Sequence, residues 1–313
     1  MKRRSSWLVC FVIGFGCASA PRGGADAPQP AQASHASTPP VATPRAFRVR
    51  VEGTGRPMLL IPGLSCSGDD VWQSTIEHFR GSYQLHVFTL AGFAGEPSVD
   101  GPFMDRVRAD VIAYIRANQL DHPIIVGHSI GGFLAFWIAA TAADAVGPVI
   151  AVDGVPFLPA LMDPTATLEG SRAPAQAMHD MLARMTADQF AAQNRASLAA
   201  MITDPNEVER IAATSSKSDP KAVATAVHEL MTTDLRGQIG SIRAPVLLIA
   251  AGDEAKDDAS RRAVTARYED QIRTIPVHRV VVAPQARHFI MLDAPAFLFA
   301  TIEQFLAEHK PGK

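Results

Sequence analysis

The sequence predicts an α/β domain: a mainly parallel central sheet, helices on both of its faces, and an inserted set of helices. Three observations carry this. Short apolar runs bounded by Gly and Pro alternate with segments of helical periodicity from Arg45 onward. One such run, Pro123-Ile124-Ile125-Val126, leads through Gly127-His128-Ser129-Ile130-Gly131-Gly132 into the apolar helical stretch Phe133–Ala140. Residues 155–240 are rich in Ala and Met and carry no strand-like run. Strands that alternate with helices need crossover connections, and those build parallel sheets covered on both faces.

The 313 residues do not all belong to this domain. Residues 1–20 read as an export signal, with basic Lys2, Arg3 and Arg4, an apolar run from Trp7 to Cys17, and small Ala18-Ser19-Ala20. The expected location is therefore periplasmic or secreted. The run is too short for a permanent membrane span. Pro21 directly after Ala20 leaves the point of cleavage open. Lipidation at Cys17 is a second reading, giving a membrane-anchored lipoprotein, although Ile13-Gly14-Phe15-Gly16-Cys17 lacks the Leu usual three residues before such a cysteine. Residues 21–44 are Pro-, Ala-, Ser- and Gly-rich and read as a linker with nothing to bury. The domain spans residues 45–313, with the helical cap at about 155–240. A net charge of −2 gives no basic footprint for nucleic acid. With the signal removed, Cys66 is the cysteine that remains, so the fold relies on its core rather than on a disulfide.

Each element has its own signal. Phe47–Glu52 alternates as an exposed strand, and Met58–Ile61 is a buried one closed by Pro62-Gly63. Val71–Phe79 has helical spacing, with Asp69 and Asp70 expected to cap it. Tyr83–Leu90 is a third strand. Met104–Asn118 places Val107, Val111, Ile112 and Ile115 on one helical face. Pro148–Asp153 is a strand after the serine helix. In the inserted segment, Met162, Met178, Met181, Met185, Met201 and Met231 either pack a core or line an apolar lid over the serine. The sheet resumes at Ala244–Ala250, a helix follows over Ala259–Ile272, His278–Val282 is the last strand, and Ala294–His309 closes the chain as a helix.

The chemistry centres on Gly127-x-Ser129-x-Gly131. A sharp strand-to-helix turn strains the backbone at the serine and lifts its hydroxyl above the sheet. A serine hydroxyl is a weak nucleophile until a base stands beside it and a carboxylate orients that base. Of 10 histidines, His288 lies in the loop after the last strand, at the carboxyl end where α/β sheets bind ligands. His128 adjoins Ser129 and cannot readily turn its ring to the hydroxyl, so it reads as a support residue. Two carboxylates compete for the third role. Asp153 follows Ser129 by 24 residues (153 minus 129), and Asp253 follows the next strand. Cys66 and Trp72 read as packed side chains. Neither metal-ligand spacing nor a Gly-rich dinucleotide loop is present, so no metal or cofactor is expected.

The chain resembles the α/β-hydrolase fold superfamily over roughly residues 45–307. The resemblance rests on Ile61-Pro62-Gly63-Leu64, Ala91-Gly92-Phe93-Ala94-Gly95, the Gly127–Gly132 elbow, and His288 followed by Asp293-Ala294-Pro295. It implies a serine hydrolase acting on a carboxylic ester or related acyl compound, with Ser129, His288 and Asp153 (or Asp253) as its triad. It also implies an oxyanion hole made by the backbone N–H groups of Leu64 and Ile130. Pro62-Gly63 stands where that family usually has His-Gly. The family's common Gly-x-x-Asp form would put an acid at Ala255, so Asp253 is off that register. Halide-releasing relatives carry Asp in place of the serine, which argues against that reaction. A cofactor-free haloperoxidase or perhydrolase on the same triad, or a non-catalytic binding protein that kept the fold, are the alternatives.

Overall fold

The computed structural model describes residues 45–310. The expected export signal, the linker and Cys17 lie outside the described residues. The chain begins with β1 (Phe47–Glu52) and β2 (Arg56–Ile61), then the short helices α1 (Gly68–Val71) and α2 (Gln73–Phe79), then β3 (Tyr83–Leu90) and α3 (Phe103–Ala117). The elbow follows as β4 (Ile124–His128) and α4 (Ile130–Thr141), and β5 (Val149–Val152) comes next. Five helices are inserted before the sheet resumes: α5 (Leu158–Met162), α6 (Leu168–Ala183), α7 (Ala187–Met201), α8 (Pro205–Ser215) and α9 (Pro220–Thr232). The chain ends with β6 (Val246–Gly252), α10 (Asp258–Ile272), β7 (His278–Pro284), α11 (Ile290–Asp293) and α12 (Pro295–Glu308).

Among the described residues the strands form one seven-stranded sheet in the order β1-β3-β2-β4-β5-β6-β7. Only β1 runs antiparallel, against β3. The strand order reverses between β2 and β4, and a crevice opens there at the strands' carboxyl ends. Leu64 follows β2 and Ser129 follows β4, so the topology brings these two loops side by side. The apolar runs divide by parity between two cores. Leu59, Ile61, Ile125, Val149 and Ala151 face one side with α3 and α4. Met58, Leu60, Ile124, Val126, Ile150 and Val152 face the other with α2 and α12. A strand buried on both faces needs this unbroken hydrophobicity.

The helix expected over Val71–Phe79 is broken at Trp72, whose backbone (φ −99°, ψ 11°) ends α1 and begins α2. The break lets the fully buried indole of Trp72 turn into the core beside His128. Asp69 and Asp70 do not cap α1, because its N-cap is Ser67. Asp69 instead pairs with Arg48 and Arg50 of β1, and Asp70 accepts a hydrogen bond from Thr214 Oγ1 at 2.5 Å.

The inserted helices start where side chains can satisfy their first N–H groups. Thr167, Thr186, Asp204 and Asp219 each accept from the first turn of α6, α7, α8 and α9, and Pro205 and Pro220 occupy the first helical positions. The insertion is clamped to the sheet domain. Glu229 on α9 accepts from the backbone N–H groups of Phe103 and Met104 at 2.8 and 2.6 Å, capping α3, whose own N-cap is Pro102. Ser218, between α8 and α9, accepts from Ala94 N–H at 2.8 Å and donates to Ser65 O at 3.1 Å.

At the end of β4 the chain makes its tightest approach. A Cβ at Gly127 would lie 2.1 Å from the carbonyl oxygen of Gly131, so only glycine lets the strand enter α4 this sharply. Beside it His128 is fully buried and donates from Nε2 to His288 O at 3.1 Å. Burial, and then the neighbouring His288, hold its proton affinity well below that of an ordinary imidazole. The unfolded chain therefore takes up this proton first as pH falls. The stability involved is complete above about pH 6.5, the ordinary imidazole value, and is lost below it. Urea unfolding across pH 7 to 5 should accordingly be less pH-dependent in His128→Phe than in the parent, by up to about 1.4 kcal/mol per pH unit. Equal slopes would show that His128 protonates as easily folded as unfolded.

Candidate active site

Ser129 sits between β4 and α4 with φ 56° and ψ −119°, a backbone that L-residues adopt only under constraint. Such a conformation costs on the order of 1–3 kcal/mol and persists because the surroundings impose it. Here the constraint is the N–H of Ser129 donating to Val152 O at 2.9 Å, together with the Gly127–Gly131 approach. Ile130 is fully buried and opens α4, so its N–H lies in the first turn, where a helix supplies no acceptor of its own. Leu64 follows β2 in a turn closed by Cys66 N–H on Gly63 O at 3.2 Å, with Ser65 at φ 63°. Gly63 must be glycine, because a Cβ there would lie 2.6 Å from His128 Nδ1. The ring of His128 thus packs between the Leu64 loop on one side and the His288 loop on the other.

Asp153 follows β5 at φ 49°, and its N–H donates to Ile249 O at 2.8 Å. Its carboxylate is 8% exposed. Oδ2 accepts from His288 Nδ1 at 2.6 Å. Oδ1 accepts from the Ala251 N–H at 2.9 Å and from Tyr268 OH at 2.6 Å. A buried carboxylate with three donors is fully satisfied in its charged form. The His288–Asp153 bond puts the proton on Nδ1 and leaves Nε2 as the acceptor nitrogen. His288 and Ser129 line the same cavity.

Of the two carboxylates weighed from the sequence, the structure brings Asp153 to His288. Asp253 lines the cavity, and its backbone N–H is held by Ala286 O at 3.0 Å. Burial, and then adjacent Glu254, push its carboxyl up. Cys66 is buried, and desolvation pushes its thiol up to about 12, far from a reactive thiolate.

Two contributors escaped the sequence reading. Tyr268 is buried on α10, and its hydroxyl is held in the protonated, donating form by burial and by the charge of Asp153. A tyrosine inside a largely polar helix carries no signal of its partner 115 residues away. Asp293 accepts from Arg287 N–H at 2.8 Å and from both N–H and Oγ1 of Thr203 at 2.9 Å, tying the His288 loop to the turn between α7 and α8. It stood in a matching motif, but nothing in the sequence tied it to Thr203.

The cavity above Ser129 has a volume of about 230 Å³. Its lining includes apolar Leu158, Leu182, Val227 and Leu230, and polar Asp253, Glu254 and Arg267, the last paired with Glu254 at 3.5 Å. Met162, Met178 and Met201 line the cavity, while Met181, Met185 and Met231 pack against the core. Among the described residues no group of His, Cys, Asp and Glu could hold a metal ion, and no helix is long and apolar enough to cross a membrane.

Comparison with known proteins agrees with this architecture. The chain is 26% identical over 204 residues to a pimeloyl-[acyl-carrier protein] methyl ester esterase of Aliivibrio salmonicida, covering 63% of this chain and 74% of that one. It is 24% identical over 203 residues to 3-oxoadipate enol-lactonase 2 of Acinetobacter baylyi, covering 64% and 72%. A thermophilic esterase from Thermogutta terrifontis superposes with a TM-score of 0.69 at 20% identity, covering 84% of this chain and 94% of its own. A model of the Alpha/beta hydrolase family matches residues 58–301, from β2 to the middle of α12, and the chain belongs to that family.

Proposed function

We propose that this hydrolase cleaves carboxylic esters with a neutral, apolar acyl group through Ser129, His288 and Asp153. The observation that carries the reading is the 2.6 Å bond from His288 Nδ1 to a buried Asp153 carboxylate, in a cavity that Ser129 also lines. Ser129 Oγ attacks the ester carbonyl as His288 Nε2 takes its proton. The negative charge that appears on the carbonyl oxygen is met by the N–H groups of Leu64 and Ile130, donors of a kind worth roughly 3–4 kcal/mol each in the transition state. The tetrahedral intermediate collapses as His288 returns the proton to the leaving alcohol. Water, deprotonated in turn by His288, then releases the acid from the acyl-enzyme. Asp153 keeps the imidazole in the productive tautomer and balances its charge.

The largely apolar lining of the cavity favours an uncharged acyl chain, since the one arginine in that lining, Arg267, is paired with Glu254. Export to the periplasm or beyond is part of the same proposal. It is supported by Lys2-Arg3-Arg4 followed by the apolar run from Trp7.

A fluorophosphonate probe should label the protein, and labelling should vanish in Ser129→Ala. A parent protein that resists the probe and leaves p-nitrophenyl acetate intact would exclude a serine hydrolase. The two carboxylates should separate cleanly. In Asp153→Asn, kcat should fall by about 10³-fold or more, because the imidazole loses its orienting charge. Asp253→Asn should keep kcat within a few-fold, and the reverse ranking would move the acid to Asp253. Tyr268→Phe removes one donor from Asp153, a loss worth about 1.5–3 kcal/mol for a charged acceptor. Asp153 Oδ1 then keeps the Ala251 N–H as its remaining donor, and the carboxylate orients the imidazole less firmly. The expected outcome is a kcat lowered about tenfold with KM little changed. An unchanged kcat would limit Tyr268 to packing.

A further inference from the structure

We propose that the groove on the outer side of α5 binds the far end of a long acyl chain, and that Met162 sets how far the chain can reach. This rests on the esterase reading and names its substrate class, esters of long aliphatic acids. The inner cavity, at about 230 Å³, is below the roughly 300–1,000 Å³ usual for ligand sites. A second cavity of about 430 Å³ adjoins it. The two share Leu158 and Met162, the first and last residues of α5, while α6 and α9 contribute different residues to each, so α5 forms the part of the wall common to both.

The wall is lightly held. The helix is five residues long, begins at Phe157 without a side-chain cap, and buries only Ala160. Met162 is 38% exposed, although it lines both cavities. The other large apolar side chains exposed to this degree among the described residues, Val51 and Val277, lie on β1 and before β7 and line neither cavity. An unbranched thioether side chain can swing aside at little cost. Beyond it the groove offers apolar Pro159, Ala166, Pro174 and Met231. Its rim carboxylate, Asp163, is taken up by the N–H and hydroxyl of Thr165 at 2.9 and 2.7 Å. That surface suits methylene groups and offers nothing to pair a second charge on the substrate.

Chemistry decides which half of the ester goes there. His288 must protonate the leaving oxygen, so the leaving group stays beside His288. The acyl chain is then directed along the apolar lining, where Leu158 and Met162 border both cavities.

The test is a series of p-nitrophenyl esters from acetate through octanoate to dodecanoate, read as kcat/KM on the full-length protein, Met162→Ala and Met162→Trp. The ratio of dodecanoate to acetate should rise about tenfold in Met162→Ala and fall about tenfold in Met162→Trp, the scale of a few methylenes gaining or losing an apolar contact. Equal changes at every chain length would overturn the proposal while leaving the esterase reading intact. So would a length dependence that appears only when the alcohol of an alkyl acetate is lengthened. Failure of the parent to cleave even acetate would overturn the esterase reading, and the proposal with it.

Discussion

The arrangement of the site depends on one buried carboxylate. Asp153 leaves β5 in a left-handed conformation and is met by donors from two directions: Ala251 and Tyr268 from the β6–α10 segment, and His288 from the loop after β7. Three neighbouring strand ends are thereby stitched together through two oxygen atoms. A charge so little exposed would be costly to bury alone, and three donors turn that cost into a geometric constraint. The imidazole can lie in few places if Nδ1 is to reach Oδ2 while Tyr268 and Ala251 hold Oδ1.

A second constraint meets the first at Ser129. The Gly127–Gly131 approach fixes where the elbow turns, and His128 wedges between the Leu64 loop and the backbone of His288. The Leu64 loop, Ser129 and the His288 loop therefore share one buried ring. The clamps made by Glu229, Ser218 and Thr214 hold α8 and α9 to the sheet domain, and Asp293 holds the α7–α8 turn to the base loop. The entry to α5 is held by Leu235 N–H on Pro156 O at 3.1 Å and by Arg236 over the Phe157 ring, and its Leu158 and Met162 bound the cavity.

Features written in local sequence were legible from it. The strands from Met58, Tyr83, Ile124, Val149 and Val246 are apolar runs with β-branched residues, and each forms where its hydrophobicity predicts. The elbow was legible because glycines at fixed offsets have one purpose there. The sequence did not reveal what depends on distance in the chain. Trp72 splits a helix because its indole is drawn into the core beside His128, a tertiary demand that local periodicity does not contain. Asp69 and Asp70 look like caps by position, yet they serve β1 and α8. Asp153 and Asp253 could not be separated by spacing, since both follow adjacent parallel strands at the same end of the sheet.

What separates the two carboxylates is where the neighbouring segment directs its donors. The Ala251 N–H lies two residues before Asp253 and is already committed to Asp153, and so is the hydroxyl of Tyr268 from the helix that follows. If the acid came from the β6 loop, these donors would face a carboxylate on their own strand, and the Asp153 carboxylate would lose two of its three partners. The segment that carries Asp253 thus supplies donors to Asp153 instead. Asp253 is left with a carboxyl pushed up by burial and by the charge of Glu254, and with a backbone donor from Glu254 where Asp153 has the Ala251 N–H, the Tyr268 hydroxyl and His288.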